Sequence, residues 1–392
     1  MQNITLDTQL EDGFTFNVSE LEVYLRRIPD SRKARGKIYP LSMLLTMIIL
    51  AKLAGEDKPS AITDWIKLRK KYFVLLFGCK HARMPCLNTI RTILQDVVSS
   101  DELEKVFKQF LHEKFGGQQS ELITLDGKTM RGTIPKGETQ GIHLLTAYLP
   151  EEGIVLKQVE VDGKTNEITA APEVLEGIDM KNKVVCADAM QTQRNFSAKV
   201  IGGGGDYILT AKDNQKRLLA DIKQFFEKPE QRAGWHNPPL PNTTAQQSGK
   251  GHGRIERREL TLIADAQRYL DWPGIQQVFK LERYVKHLRT DKETRETIYG
   301  LTSCTPEKGT AQKLLAWTRN YWGIENGLHY RRDVTLQEDA TRMSNSKMAK
   351  VVATINNFVI GLARKLGYGN LASARCQFDV AIAMQLLSFA DY

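Results

Sequence analysis

The sequence is poor in the features that mark secreted, zinc-clipped or membrane-spanning chains. Its 392 residues include only five cysteines, at positions 79, 86, 186, 304 and 376. The number is odd and no two are spaced as C-x-x-C, which argues against a disulfide framework and against a usual zinc site. Cys79, His81 and Cys86 lie close together, but no second pair of ligands follows them. The main apolar run, residues 41–54, is shorter than the ~20 residues of a bilayer-spanning helix, contains Lys52, and is not at the N-terminus, where a signal peptide would be. A cytoplasmic location is expected.

Complete phosphate-binding loops are also missing. Asp126-Gly127-Lys128-Thr129 and Asp162-Gly163-Lys164-Thr165 both carry the GKT end of such a loop, but the earlier glycine it requires is Leu122 in one and Gln158 in the other. The glycines at 202–205 precede a strand-like segment rather than follow one, so they read as a turn and not as a dinucleotide loop. No nucleotide cofactor is expected.

What is present is an ordinary globular composition, 41% hydrophobic and 26% charged, with a formal net charge of +9. That balance excludes broad disorder and suits a polyanionic partner. The length favours two or three domains. From about residue 18 to 115 the pattern is helical with almost no strand alternation, as expected of a separate helical N-terminal domain over 1–117. Ser99 followed by Glu102 reads as a capping box for a last helix that Gly116-Gly117 stops. Residues 118–226 then alternate strands and helices, beginning with a meander at 122–126, 142–149 and 154–161 and continuing with strands at 183–188 and 206–211. A loop over 229–253 opens a β-rich insertion at 227–308. Helices complete the core over 309–392. The class is α/β with a mixed sheet, a β-rich insertion and an all-helical N-terminal domain.

Two strands are apolar until they end in an acid: Leu122-Ile123-Thr124-Leu125 before Asp126, and Val184-Val185-Cys186-Ala187 before Asp188. Near-continuous apolar runs mark central strands covered on both faces. Their carboxyl ends are where ligands collect in open α/β sheets. Phosphodiester transfer on two cations requires carboxylates from several elements to hold them about 3.5–4 Å apart. Hard oxygen donors suit Mg²⁺. Spacing alone leaves Glu325, Glu338 and Asp339 as candidates for a third acid. If the helix over 311–330 continues, Tyr321, His329 and Arg332 share a face with Glu325 that can meet a phosphate. Lys128, Lys164 and Lys212 are further phosphate-contact candidates. The basic run Arg32, Lys33, Arg35 and Lys37 is either a DNA contact or a solvated face.

Ordered motifs run almost end to end: Ile28-Pro29-Asp30-Ser31-Arg32, Ile62-Thr63-Asp64-Trp65, Leu125-Asp126-Gly127-Lys128-Thr129, Asn166-Glu167-Ile168, Asp188-Ala189-Met190-Gln191, Asp206-Tyr207-Ile208-Leu209, His252-Gly253-Arg254-Ile255-Glu256-Arg257, and Trp322 through His329. With these the chain resembles the DDE transposases of bacterial insertion sequences, in the branch of the H repeat-associated proteins. The resemblance implies an RNase H-like core in which Asp126, Asp188 and Glu325 are the catalytic, metal-binding triad, and it thereby selects Glu325 among the three candidates. It also implies two Mg²⁺ ions, replaceable by Mn²⁺, that serve cleavage at element ends and strand transfer into target DNA. Further implications are phosphate contacts from Tyr321 and Arg332, a homodimer on double-stranded DNA, and a nucleoid-associated location. The competing expectations are a DNA-binding protein that has lost its chemistry and a stand-alone RNase H-like nuclease.

Overall fold

The computed structural model describes residues 5–8, 14–79, 83–117, 120–161, 166–226, 242–251 and 253–388. A nine-stranded mixed sheet forms the centre, in the order β5-β4-β3-β6-β7-β11-β10-β9-β8. Its first half is the expected meander, β3 (Leu122–Thr129), β4 (His143–Leu149) and β5 (Ile154–Val161), each antiparallel to the next. Strands β6 (Val184–Ala187) and β7 (Asp206–Ala211) follow in parallel on the other side of β3. Each is reached through a helix, α7 (Glu167–Leu175) before β6 and α8 (Arg194–Gly202) before β7. Parallel neighbours need such crossovers.

The β-rich region does not stand apart from this sheet. Strand β11 (Glu293–Thr302) pairs antiparallel with β7, and β10 (Gln277–His287), β9 (Arg254–Ile263) and β8 (Asn242–Gly251) continue outward from it. The loop expected over 229–253 is therefore in part a strand. Strand β8 reads Asn-Thr-Thr-Ala-Gln-Gln-Ser-Gly-Lys-Gly, and only Ala245 of it is buried. An edge strand wet on nearly every position has no apolar alternation to betray it. Residues 227–241 and 252 lie outside the described residues.

The helical N-terminal region comprises α1 (Val18–Leu25), α2 (Leu41–Leu53), α3 (Pro59–Leu68), α4 (Lys70–Phe77), α5 (Leu87–Thr92) and α6 (Ser100–Phe115), preceded by a hairpin of β1 (Thr5–Thr8) and β2 (Phe14–Asn17). Helix α2 is buried at every position, Lys52 included, as befits a helix that is apolar all round. At the start of α6 the Ser99 side chain accepts from the Asp101 N–H, the capping role read from the sequence, and Gly116 ends the helix at φ 81°.

One hydrophobic core runs from this region into the sheet and the C-terminal helices. Phe107 of α6 stacks on Phe358 of α11 (Ser346–Lys365) with ring centroids 4.0 Å apart. Arg375 of α12 (Leu371–Ser388) bonds Asp57 and the Lys52 carbonyl. The opposite sheet face packs on α10 (Ala311–Tyr321) through Leu314, Leu315 and Trp317. Helix α9 (Lys216–Phe226) closes the first face beyond β7 with Leu218, Ile222 and Phe225. Among the described residues no helix is long and apolar enough to cross a membrane.

Candidate active site

Leu125 of β3 stands opposite Ala187 of β6 in parallel register. Each is followed by an acid, so Asp126 and Asp188 stand at the same level of neighbouring strands, which lie about 4.8 Å apart. Asp188 follows the last residue of β6 as expected, whereas β3 runs on past Asp126 to Thr129, so that acid sits within its strand rather than at its end. Asp188 ends its strand by capping the turn Ala189–Gln191, its Oδ1 accepting from the Met190 and Gln191 N–H groups at 3.0 and 3.4 Å. Asp126 is half-buried, on the side of the sheet that α10 covers. Burial pushes its carboxyl up to about 7, helped by the negative charges of Glu167, Glu325 and Asp188. Asp188 is raised by burial and Glu167, while its backbone donors and Lys212 pull it back.

Glu325 reaches the same place from beyond α10. The expected helix over 311–330 is interrupted only at Trp322: α10 ends at Tyr321, and beyond it the backbone stays helical but widens into two π-turns, Glu325–His329 and Arg331–Thr335. The Tyr330 N–H donates to the Glu325 carbonyl and the Leu336 N–H to that of Arg331 at 2.9 Å, both i to i−5. Such π-turns rotate following residues away from the 3.6-residue face. Glu325 remains exposed, whereas His329 is 3% exposed and turns inward. Asp126, Glu325 and His329 each offer a ligand atom, and these atoms lie within 4.8 Å of one another.

The wide turns correct the surface reading of Arg332. Its guanidinium is fully buried and bonds both carboxylate oxygens of Glu338 at 2.7–3.0 Å. It is therefore walled off from any phosphate. The two alternative third acids are engaged elsewhere: Glu338 with Arg332 and Asn356, and Asp339 with the Arg131 N–H at 2.9 Å and Lys128 at 3.5 Å. Lys128 is 7% exposed and lies 2.5 Å from Asp333, so it too is an internal cation rather than a surface contact. Lys212 is exposed beside Asp188. Tyr321 is half-buried, with its hydroxyl pushed up by burial and by Asp126 and Asp188. Lys164 and His81 fall outside the described residues. Of the basic run, Arg32 bonds Asp30 and the Tyr39 carbonyl, and Lys37 bonds the Asp30 carbonyl.

Sequence reasoning gave no role to a fourth carboxylate. Glu167 opens α7 behind the N-cap Asn166, whose side chain accepts from the Thr169 N–H. Its Oε1 lies 2.8 Å from His143 Nε2, and His143 Nδ1 lies 2.8 Å from Thr129 Oγ1. Gly127 makes this approach possible, because a Cβ there would stand 2.3 Å from Glu167 Oε1 and 2.5 Å from His143 Nε2. Asn166-Glu167-Ile168 was visible as a motif, but helix-cap chemistry explains Asn-Glu equally well.

The donor set fits divalent cations. Four acids crowd one edge, and unscreened carboxylates raise one another's pKa, as Asp126 shows. His329 Nε2 is buried with no hydrogen-bond partner, 3.7 Å from Asp126 Oδ2. An orphaned buried donor or acceptor costs about 1–3 kcal/mol. Burial holds the His329 imidazole neutral, at about 3, with Arg332, Lys128 and His143 adding to the effect. Neutral imidazole is the form that binds metal.

Comparison with known proteins places the chain. The family model described as Transposase DDE domain matches residues 117–360, and a DDE_Tnp_1-associated model matches residues 23–111. YbfL of Escherichia coli strain K12 is 28% identical over 353 residues, covering 88% of this chain and 90% of its own. YhhI of the same strain, named as an H repeat-associated transposase, is 28% identical over 353 residues with the same coverage, 88% and 90%. The solved piggyBac transposase synaptic complex with hairpin DNA aligns over 97% of this chain and 78% of its own at 13% identity, with a TM-score of 0.42, too distant a likeness to decide anything here. The chain belongs to the DDE transposase family, in the branch of the H repeat-associated proteins.

Proposed function

We propose that this transposase cuts DNA at the ends of an insertion sequence and joins the freed ends to target DNA, using Asp126, Asp188 and Glu325 as its catalytic acids on an RNase H-like core. The observation that carries the reading is the convergence of Asp126 with Glu325 from a distant part of the chain, beside the register-matched Asp188. Asp126, Asp188 and Glu325 would hold two divalent cations, Mg²⁺ or in its place Mn²⁺. When bound, these supply activation of an attacking oxygen and stabilisation of a leaving oxygen.

The protein's part is placement. Asp188 follows the strand next to that of Asp126, and Glu325 lies on the turn beyond α10, so Asp126 would hold the cations together with both. Glu325 is exposed, so its carboxylate would be within reach of a DNA strand laid against this edge. Lys212, beside Asp188 and solvent-exposed, is the positioned surface cation that would contact a phosphate. Tyr321, half-buried, lies near Asp126 and Asp188 and would help position the same strand. The same acids would serve water first and the freed 3′ hydroxyl second, with no covalent link to protein and no nucleotide cofactor. Joining two ends in one event calls for two copies of the chain on the DNA, working in the cytoplasm at the nucleoid.

Purified protein given element-end DNA and a divalent cation should produce cleaved and joined products. Alanine at Asp126, Asp188 or Glu325 should abolish both while leaving DNA binding intact. Undiminished cleavage in all three variants would reject the assignment. Cleaved ends that are never joined to target would identify a nuclease instead.

A further inference from the structure

We infer that His329 is a direct nitrogen ligand to the cation held by Asp126 and Glu325, which shifts the site's preference from Mg²⁺ toward Mn²⁺ and later transition-metal ions. This rests on the carboxylate site proposed above and adds to it a donor of a different chemical kind.

Three observations carry the inference. His329 Nε2 is buried and unpartnered, although the residue is only 3% exposed and has a carboxylate oxygen 3.7 Å away. A histidine recruited merely to hold Asp126 by a hydrogen bond would close to about 2.7–3.2 Å. Two ligands each about 2.1 Å from a shared cation are separated instead by about 3–4.2 Å, which brackets the distance found.

The second observation is the joint geometry, since one atom each from Asp126, Glu325 and His329 falls within 4.8 Å of the others. The third is the local backbone. Glu325 and His329 begin and end one π-turn, closed by the Tyr330 N–H on the Glu325 carbonyl. In that turn Glu325 is exposed while His329 is buried with its Nε2 3.7 Å from Asp126 Oδ2, so the two approach a common point from different depths. The fully buried Arg332–Glu338 pair anchors the following turn and fixes its rotation. Imidazole suits transition metals better than it suits Mg²⁺, which takes oxygen donors and water.

The test is pulsed electron paramagnetic resonance on full-length protein loaded with Mn²⁺, joined to calorimetric titration of Mn²⁺ and Mg²⁺. The wild-type spectrum should carry directly bound ¹⁴N modulation, and His329→Gln should lose it. The variant should bind Mn²⁺ about tenfold more weakly while its Mg²⁺ affinity falls about threefold or less. Bound Mn²⁺ without nitrogen modulation in the wild type overturns the inference and leaves the carboxylate site standing. So does modulation that survives in His329→Gln. If wild type and Asp126→Ala alike take up no Mn²⁺, the carboxylate site itself fails, and the inference with it. The wild-type spectrum decides even if the variant folds poorly.

Discussion

Asp126 and Asp188 each stand one residue beyond Leu125 and Ala187, which are register partners on adjacent parallel strands. Their mutual placement is thus set by backbone pairing, and only the third acid depends on how distant helices pack. Asp188 is further held by its own turn, while Asp126 has charged neighbours on several sides.

The raised carboxyl of Asp126, at about 7 against an ordinary 3.8, makes metal-free stability pH-dependent. A folded-state pKa above the unfolded one means that the folded protein binds the proton more tightly. The stabilisation is complete below about 3.8 and is lost as pH rises through about 7. The melting temperature of metal-free protein should therefore fall across that window. Asp126→Asn should flatten the fall and melt several degrees higher than wild type at pH 8. Added Mn²⁺ should raise the wild-type midpoint more at pH 8 than at pH 6. Calorimetry at the two pH values checks each point, and an unchanged slope in Asp126→Asn would discard the coupling.

Breaking the buried Arg332–Glu338 pair from one side should destabilise the fold by about 3–5 kcal/mol, because it strands a charge with no route to water. Arg332→Met is predicted to show this in urea unfolding, and Arg332→Met with Glu338→Gln should recover much of the loss. In DNA binding, by contrast, a folded double variant should keep the wild-type dependence on salt. A salt slope lowered by about 1 would instead mark Arg332 as a phosphate contact after all.

Gly127→Ala tests the fourth carboxylate. The new methyl would occupy the space of Glu167 Oε1 and His143 Nε2. Since both are side-chain ends that can swing aside, the stability cost should be modest, about 1–3 kcal/mol. Turnover on element-end DNA should drop at least tenfold if the Thr129–His143–Glu167 chain orders the acidic edge. Wild-type turnover in a stably folded Gly127→Ala would show that this chain is only structural.

The shared core predicts that the helical region does not melt by itself. Phe358→Ala removes the ring that stacks on Phe107 and should cost about 3–5 kcal/mol. Unfolding of wild type should be one transition by circular dichroism and by tryptophan fluorescence, Trp65 lying in the helical region and Trp317 on α10. Two separated transitions would restore the independent domain.

Much was legible in the sequence because it depends on local pattern. Apolar runs ending in Asp126 and Asp188 announced central strands, the meander and the crossover helices fell where periodicity put them, and Ser99 and Gly116 bounded α6. The H-repeat motifs gave the family. Strand β8 was hidden because an exposed edge carries no burial pattern, and α2 gave no sign that its partners include α11 and α12, since an all-apolar helix points nowhere in particular. Glu167 stayed silent because its meaning comes from a glycine forty residues earlier.

By itself, then, the chain determined most of the strands and helices, which strands are central, and that an acid follows each of two apolar runs, since these follow from residue type and its repetition over a few positions. Tertiary structure alone decided that the β-rich region extends the same sheet and that two π-turns bury Arg332 and bring His329 to Asp126, beside the Glu325 that the family motifs single out. Those outcomes rest on packing between residues far apart in the chain, where a shift of one residue per turn exchanges a surface side chain for a buried one.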